Sequence, residues 1–301
     1  MSIFENLVRA ITAVLMFGIQ LLPEAVSGPF QYNFMQRALV TALIVGTMCG
    51  VLSCYVVLKR WALLGDAISH AVLPGVAIAY LLGIPLFFGA FVSGSVTSIG
   101  IGFLQRNSRI KEDSAMGILF TAAFALGIVL ISRIATSTHL MHILFGNVLG
   151  VNLQQAAGTL AAGLLALACV AVFYKPLLLY CFDPVHASAI GMPTATIHYG
   201  LMLLLTLTIV TSLETVGVIL VVAMLIIPGA AASMLTHRLP VMMALAALIG
   251  AGSSAAGIYF SFILNVASGG SIVLVAFLVF AIIAVLAPEG PLRGRRLHHP
   301  G

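Results

Sequence analysis

A series of apolar runs, separated by short stretches that hold most of the charges, constrains the fold of this chain more than any other feature. The runs cover about 4–22, 38–58, 62–82, 86–104, 114–132, 153–174, 199–213, 215–235, 240–263 and 271–287. A helix needs about 20 apolar residues to cross the hydrocarbon core of a bilayer. Only 7% of the 301 residues are charged, whereas soluble domains have about 25%. The sequence therefore predicts an all-α, polytopic membrane protein with nine to ten transmembrane helices.

The basic residues indicate how the helices cross the bilayer. If Lys59 and Arg60 are cytoplasmic and each run crosses once, ten of the 13 Lys and Arg residues lie on that side, and Arg9 makes eleven. Only Arg37 and Arg133 lie outside. This asymmetry favours ten spans with both termini in the cytoplasm. The first run has an alternative placement along the outer surface, which leaves nine spans.

We expect one transmembrane domain over 1–301, with an additional N-terminal segment at 1–28 and a short basic tail at 288–301.

Composition and motifs argue against several classes of function. The net charge of +5 is spread along the loops and does not indicate nucleic-acid binding. The chain has no Gly-x-x-x-x-Gly-Lys-Ser/Thr motif, catalytic triad or paired catalytic carboxylates, so an enzyme is not indicated. The four cysteines form no CxxC pair, which argues against a disulfide framework or a thiolate metal site.

The segment GDAISHAVLPG, residues 65–75, is the best candidate for a functional site. Asp66 and His70 are four residues apart, so on a helix both side chains project from one face. An acid within a membrane span costs about 2.5–3.5 kcal/mol on insertion scales and usually lines a polar path or finds a partner. A carboxylate oxygen and an imidazole nitrogen can form half of a divalent-cation site. The alternative is a hydrogen bond between Asp66 and His70 or Ser69, with the carboxylate as acceptor, that only holds helices together.

The segment FDPVHASAIGM, residues 182–192, predicts a short helix on the cytoplasmic side. Asp183 is suited to the N-cap, Pro184 to the first helical position, and Gly191 to a left-handed cap. The helix is too short to cross a membrane. It is either a docking helix for a partner or an ordinary connector, and it comprises Pro184, Val185, His186, Ala187, Ser188, Ala189, Ile190 and Gly191.

Weaker candidates lie near the predicted outer face. His139 and His142 are on a short amphipathic segment, 138–150, and could receive a cation or be solvated. Asn147 offers an amide oxygen to a hard cation, or caps the following turn. Glu214 could attract cations, although we expect it to stabilise the first turn of a helix by about 0.3–1 kcal/mol. No spacing suggests a site at His186, His198 or His237.

Small residues recur at helical spacing in two of the runs. Such faces let neighbouring helices approach closely, so both sets predict packing. The sets are Ala90, Gly94, Ser98 and Gly102, and Gly250, Ser254 and Gly257.

Four segments in order resemble the metal-type family of ABC importer permeases, the membrane subunits of bacterial manganese, iron and zinc uptake systems. They are GDAISHAVLPG, HILFGNVLGV (142–151), FDPVHASAIGM and ETVGVILVVAMLIIPGAAA (214–232). The resemblance extends over about 29–287. The pieces HAVLPG, LFGNVLG and ETVG are more similar to the manganese/iron branch than to the zinc branch.

This resemblance implies the type II importer transmembrane fold and a homodimer with the pathway at the subunit interface. It also implies two cytosolic ABC ATPase subunits, an extracytoplasmic metal-binding protein and a location in the bacterial cytoplasmic membrane. Residues 184–191 match the coupling helix, with Ala187 and Gly191 at its Ala-x-x-x-Gly positions. Asp66 and His70 match the pair that contacts the metal at the gate.

The resulting hypothesis is an ATP-driven uptake permease for Mn(II), with Fe(II) as a second substrate and Zn(II) as the alternative. No cofactor is permanently bound, and ATP is hydrolysed on a partner chain. A hypothesis from another class is a gradient-driven secondary transporter or channel, in which Asp66 and His70 relay protons. A membrane scaffold without transport activity is the third.

Overall fold

The structure is a computed structural model that describes residues 2–21, 23–133 and 148–287, and the described residues form helices and no strands. Two short 3-10 turns are at Gly28–Gln31 and Val148–Gly150. His139, His142, Asn147 and the tail 288–301 lie outside the described residues. The helices are α1 (Ser2–Gln20), α2 (Glu24–Ser27), α3 (Asn33–Leu58), α4 (Ala62–Ala71), α5 (Leu73–Leu82), α6 (Leu86–Asn107), α7 (Glu112–Ile131), α8 (Leu153–Val172), α9 (Tyr174–Phe182), α10 (Pro184–Ala189), α11 (Thr194–Val216), α12 (Val218–Met224), α13 (Ile227–Ser233), α14 (Leu239–Leu264) and α15 (Ser268–Leu286).

Nine segments of the described chain are long and apolar enough to span a membrane, within the predicted range of nine to ten. The predicted run 215–235 is not one of them, because it is split into α12 and α13. Pro228 is at the start of α13, and proline cannot donate the backbone hydrogen bond that a continuous helix requires. The division from the preceding run is at Gly217, with φ of 84°, and not at Glu214 as predicted. Helix α11 therefore continues through Glu214 to Val216.

The run that carries Asp66 and His70 is also interrupted, between α4 and α5. Pro74 has no backbone N–H for the carbonyl of His70, four residues earlier, so the regular helical bond is lost there. The Ser93 hydroxyl on α6 donates a hydrogen bond of 2.7 Å to the carbonyl of Ala71 at this break. Pro74 and the hydrogen bond from Ser93 thus mark an interruption of the helix one turn beyond the candidate site.

The chain divides into two compact units. The first unit comprises the described residues of Met1–Val57, Asn147–Leu164 and Ile219–Gly301. In it, α3 and α14 approach at two glycines, since a Cβ on Gly46 would lie 2.5 Å from the carbonyl oxygen of Gly250. A Cβ on Gly257 would meet the backbone of Ile272 on α15. The prediction that these small residues serve helix packing is confirmed.

The second unit comprises the described residues of Leu58–Gly146 and Leu165–Val218. Its small-residue face on α6 also packs closely: a Cβ on Gly94 would lie 3.0 Å from Thr206, and one on Gly102 would lie 2.8 Å from His198. Both partners are on α11. This unit contains the candidate site, because α4, α6, α7 and α11 all belong to it.

In the first unit, α1 brings together two arginines that the ten-span interpretation assigns to opposite faces. Arg9 of α1 and Arg37 of α3 line one pocket of about 360 Å³. Val8, beside Arg9, belongs to the same apolar cluster as Val40 of α3. The shared pocket does not fit the ten-span interpretation, in which the two arginines lie on opposite faces of the membrane.

Candidate functional site

Asp66 and His70 face each other on α4, one helical turn apart, as the spacing predicted. Asp66 Oδ1 lies 3.4 Å from His70 Nε2. The two side chains are partly exposed, at 47% for Asp66 and 32% for His70. The residues between them, Ala67, Ile68 and Ser69, are buried. The carboxylate and the imidazole therefore lie on the accessible face of α4, which also includes the exposed Ala62 and Leu63.

Two aromatic side chains of α7 orient the His70 ring. The ring centroids of Phe120 and Phe124 lie 5.5 Å and 5.3 Å from that of His70. His70 Nδ1 is buried and has no hydrogen-bond partner among the described residues. The nitrogen that faces the carboxylate, Nε2, is consequently the one available to a ligand. In histidines that bind metal, the second ring nitrogen usually donates a hydrogen bond that fixes the orientation of the ring. In His70, packing against the two phenyl rings orients the imidazole instead.

The pair has the chemistry and spacing of two adjacent ligands. Carboxylate oxygen and imidazole nitrogen both suit Mn, Fe and Zn. Two ligands about 2.1 Å from an octahedral ion lie about 3.0 Å apart in adjacent positions, close to the observed 3.4 Å. In the described ranges, no three His, Cys, Asp or Glu residues come together as a metal-binding group. Asp66 and His70 can offer two ligands to a cation, and metal binding by this pair stays a prediction.

The short helix α10 has the caps that the sequence predicted. The carboxylate of Asp183 accepts a hydrogen bond of 2.8 Å from the backbone N–H of His186. Gly191 adopts φ of 79°, and the N–H of Met192 returns to the carbonyl of Ala187 at 3.0 Å. Ala187 is buried, whereas Val185 and Ile190 are 76% and 56% exposed. The helix therefore presents apolar side chains at the surface.

The position of Glu214 in the structure contradicts the structural role that the sequence predicted. It lies in the last turn of α11 and is exposed, whereas the prediction placed it in the first turn of a helix. A carboxylate is stabilising near the positive N-terminal end of a helix and not near the C-terminal end. The helix-stabilising interpretation is wrong, and cation attraction by Glu214 stays a prediction.

Sequence reasoning missed a buried aromatic cluster in the second unit. The hydroxyl of Tyr180 on α9 and Nδ1 of His198 on α11 form a hydrogen bond of 2.7 Å. The ring of Trp61 meets the His198 ring edge-on at 5.2 Å. Lys59 Nζ lies 4.1 Å from the centre of the Tyr180 ring. Tyr180 and His198 are 18 positions apart, and the residues between them include a turn and a separate helix, so no periodicity connects the two.

The pKa values of two side chains on α9, Tyr180 and Cys181, are raised near this cluster. Burial, followed by the charges of Cys181 and Glu112, raises the pKa of Tyr180 above its ordinary value. The phenol is therefore neutral near pH 7 and keeps its proton for hydrogen bonding. Burial also raises the pKa of the neighbouring Cys181 to about 11, although the nearby Lys59 opposes this shift.

Comparison with known families decides the class of this helical protein. The sequence profile described as the ABC 3 transport family matches residues 31–287. The chain belongs to the ABC 3 transport family. The match begins after α1 and α2, so the additional N-terminal segment lies outside the family profile, as the resemblance of 29–287 implied.

Several named proteins are closely similar to this chain over most of its length. The manganese transport system membrane protein MntC of Halalkalibacterium halodurans is 57% identical over 86% of this chain and 89% of the relative. The chelated iron transport system membrane protein YfeD of Yersinia pestis is 48% identical over 93% and 94%. The structure of PsaBC from Streptococcus pneumoniae in complex with Fab matches with a TM-score of 0.81 and 43% identity, over 91% of this chain and 99% of that chain. The predicted family and fold are confirmed.

Proposed function

We propose that this ABC 3 transport family member is the permease subunit of an importer for divalent transition metals, with Mn(II) as the main substrate and Fe(II) as the second. The observation that carries the proposal is the Asp66–His70 pair, 3.4 Å apart on the accessible face of α4. The manganese and iron systems named for the relatives support the same substrate class. Zinc is the alternative substrate, since it accepts the same two ligands.

The half-site supports a symmetric dimer as the functional unit. A divalent ion takes about four to six ligands, and one chain supplies two side chains from the described residues. Two copies related by a two-fold axis would supply two carboxylates and two imidazoles. The two carboxylates would also neutralise the charge of the ion. The metal pathway then runs between the copies, along the two α4 faces.

Energy for transport comes from partner chains in this proposal. The exposed Val185 on α10 and Ile190 at its C-cap suit an apolar groove on a cytosolic ATPase subunit. ATP hydrolysis on two such subunits pushes α10 and exchanges outward-open and inward-open states. An extracytoplasmic metal-binding protein delivers the ion from the other side of the bacterial cytoplasmic membrane. The permease itself catalyses no reaction and holds no permanent cofactor.

Uptake of radiolabelled Mn, Fe and Zn by cells that carry the intact system tests the proposal. Asp66→Asn should lower Mn uptake at least about 100-fold, because it removes a charged ligand with little change in volume. Asp113→Asn, which changes an exposed acid in the first turn of α7, is the matched control and should transport normally. If the Asp66→Asn variant is present in the membrane and takes up Mn at the wild-type rate, Asp66 is not on the metal pathway.

Reconstitution separates this mechanism from a gradient-driven transporter. The purified permease with its ATPase partner and the metal-binding protein should move Mn into liposomes only with ATP. Metal flux through the isolated permease without ATP would overturn the ATP-driven mechanism.

A further inference from the structure

The Tyr180–His198 hydrogen bond joins the two helices on either side of α10. Tyr180 lies three residues before Asp183, the N-cap of α10, and His198 lies in the second turn of α11. The hydrogen bond is 2.7 Å long and buried. Helices α9, α10 and α11 follow one another closely in the chain. The bond between α9 and α11 therefore holds together the two ends of the segment that contains α10.

The same cluster contacts the segment that begins α4. Trp61 is the N-cap of α4 and is fully buried, with its ring edge-on to His198. Lys59 covers the Tyr180 ring from the same segment. Between them, Arg60 adopts φ of 58°, a conformation that non-glycine residues keep only where the surroundings hold it.

Little space exists for the His198 ring to move independently. A Cβ on Gly102 of α6 would lie 2.8 Å from His198 Nε2, so the α6 backbone closes that side of the ring. The ring of Tyr199 also meets His198 edge-on at 5.3 Å. The imidazole therefore has little room to move apart from α6, α11 and Trp61.

Packing alone does not account for these residue types. Trp61 Nε1 and His198 Nε2 are both buried without a hydrogen-bond partner among the described residues. Unpaired buried polar atoms are destabilising, and apolar rings of the same shape would remove that loss. The polar cluster thus has features that a purely structural contact would not need.

We propose that Tyr180, His198 and Trp61 are positioning residues that connect the docking helix α10 mechanically to the metal-contacting helix α4. Trp61 and Asp66 are five residues apart at the start of one helix, about 7.5 Å along its axis. Movement of α10 displaces α9 and α11, and the cluster passes this displacement to the base of α4. The inference rests on the proposed function, because it assumes that α10 receives the movement of an ATPase.

Removal of the Tyr180 hydroxyl tests the connection. Tyr180→Phe keeps the ring under Lys59 and removes only the hydrogen bond to His198. In proteoliposomes that contain the permease, its ATPase and the metal-binding protein, we measure both ATP hydrolysis and Mn uptake. The ratio of uptake to hydrolysis should fall at least about threefold, within the range by which residues between coupled sites change the coupling. ATP hydrolysis and complex assembly should stay near wild type.

Two further variants distinguish a positioning role from a structural one. His198→Asn keeps a hydrogen-bonding atom near the position of Nδ1 and should retain most of the coupling ratio, whereas His198→Leu should lose it. Tyr174→Phe makes the same chemical change on α9 outside the cluster and should have no effect. A purely structural role would lower hydrolysis, uptake and assembly together.

An unchanged ratio in both Tyr180→Phe and His198→Leu, in a complex whose wild-type form transports Mn, would overturn the connection and leave the proposed function intact. A wild-type complex that hydrolyses ATP without moving metal would instead overturn the proposed function and this inference with it.

Discussion

Asp66 Oδ1 and His70 Nε2 are 3.4 Å apart across one turn of α4, and both side chains are partly exposed on a helix whose other faces are largely buried. The geometry depends on support from α7, where Phe120 and Phe124 contact the imidazole. One turn later, Pro74 interrupts the regular helical hydrogen bonding. The candidate site is therefore held by neighbours as well as by helical spacing.

We expect Phe124→Leu to lower Mn uptake by roughly tenfold while leaving the permease in the membrane. The substitution removes the edge-on contact that orients the His70 ring, and loss of such support typically weakens metal binding or activity by about 10–100-fold. The measurement is initial uptake rate against Mn concentration. Phe103→Leu, at an exposed position on α6, is the control. Equal uptake by both variants would show that α7 does not position His70.

Gly250→Ala should destabilise the permease, because its Cβ would overlap the backbone of Gly46 on α3. Overpacking of this kind costs about 1–3 kcal/mol. Gly252→Ala on the same helix meets nothing within 4 Å and is the matched control. Thermal unfolding in detergent should show a lower Tm for Gly250→Ala than for Gly252→Ala. An equal Tm for the two would contradict the close approach of α3 and α14.

Cys181 should react slowly with iodoacetamide in the folded protein. Burial raises its pKa to about 11 from 9.0, and the thiolate is the reactive form. The raised pKa keeps the thiol protonated, so at pH 8 the thiolate fraction is roughly 100-fold below that of an unshifted thiol. The rate should increase up to about pH 11. The assay uses a variant in which Cys181 is the single cysteine, and the same protein unfolded in detergent should react at the ordinary rate.

Arg9 and Arg37 should be accessible from the same side of the membrane, because both line one pocket. Single cysteines at these positions, in a cysteine-free background, should both react with a membrane-impermeant maleimide on intact cells. Lys111→Cys, on the loop before α7, should be protected until the cells are opened. Labelling of positions 9 and 37 from opposite sides of the membrane would contradict this expectation and support the ten-span interpretation.

The sequence alone was sufficient for features that depend on neighbours along the chain. The membrane-spanning helices follow from apolar runs of about 20 residues. The Asp66–His70 pair follows from the four-residue spacing of an α-helix, and the caps of α10 follow from Asp183, Pro184 and Gly191. These patterns are local, so helical geometry and backbone chemistry are enough to interpret them.

Only the tertiary structure decided features that depend on residues distant in the chain or on competing breaks. Glu214 was misplaced because Gly217, and not the charge, ends α11. The Tyr180–His198 bond joins two helices across a third, and the shared pocket of Arg9 and Arg37 depends on how α1 packs. Such contacts arise when helices pack side by side, and no spacing along one helix specifies which side chains then meet.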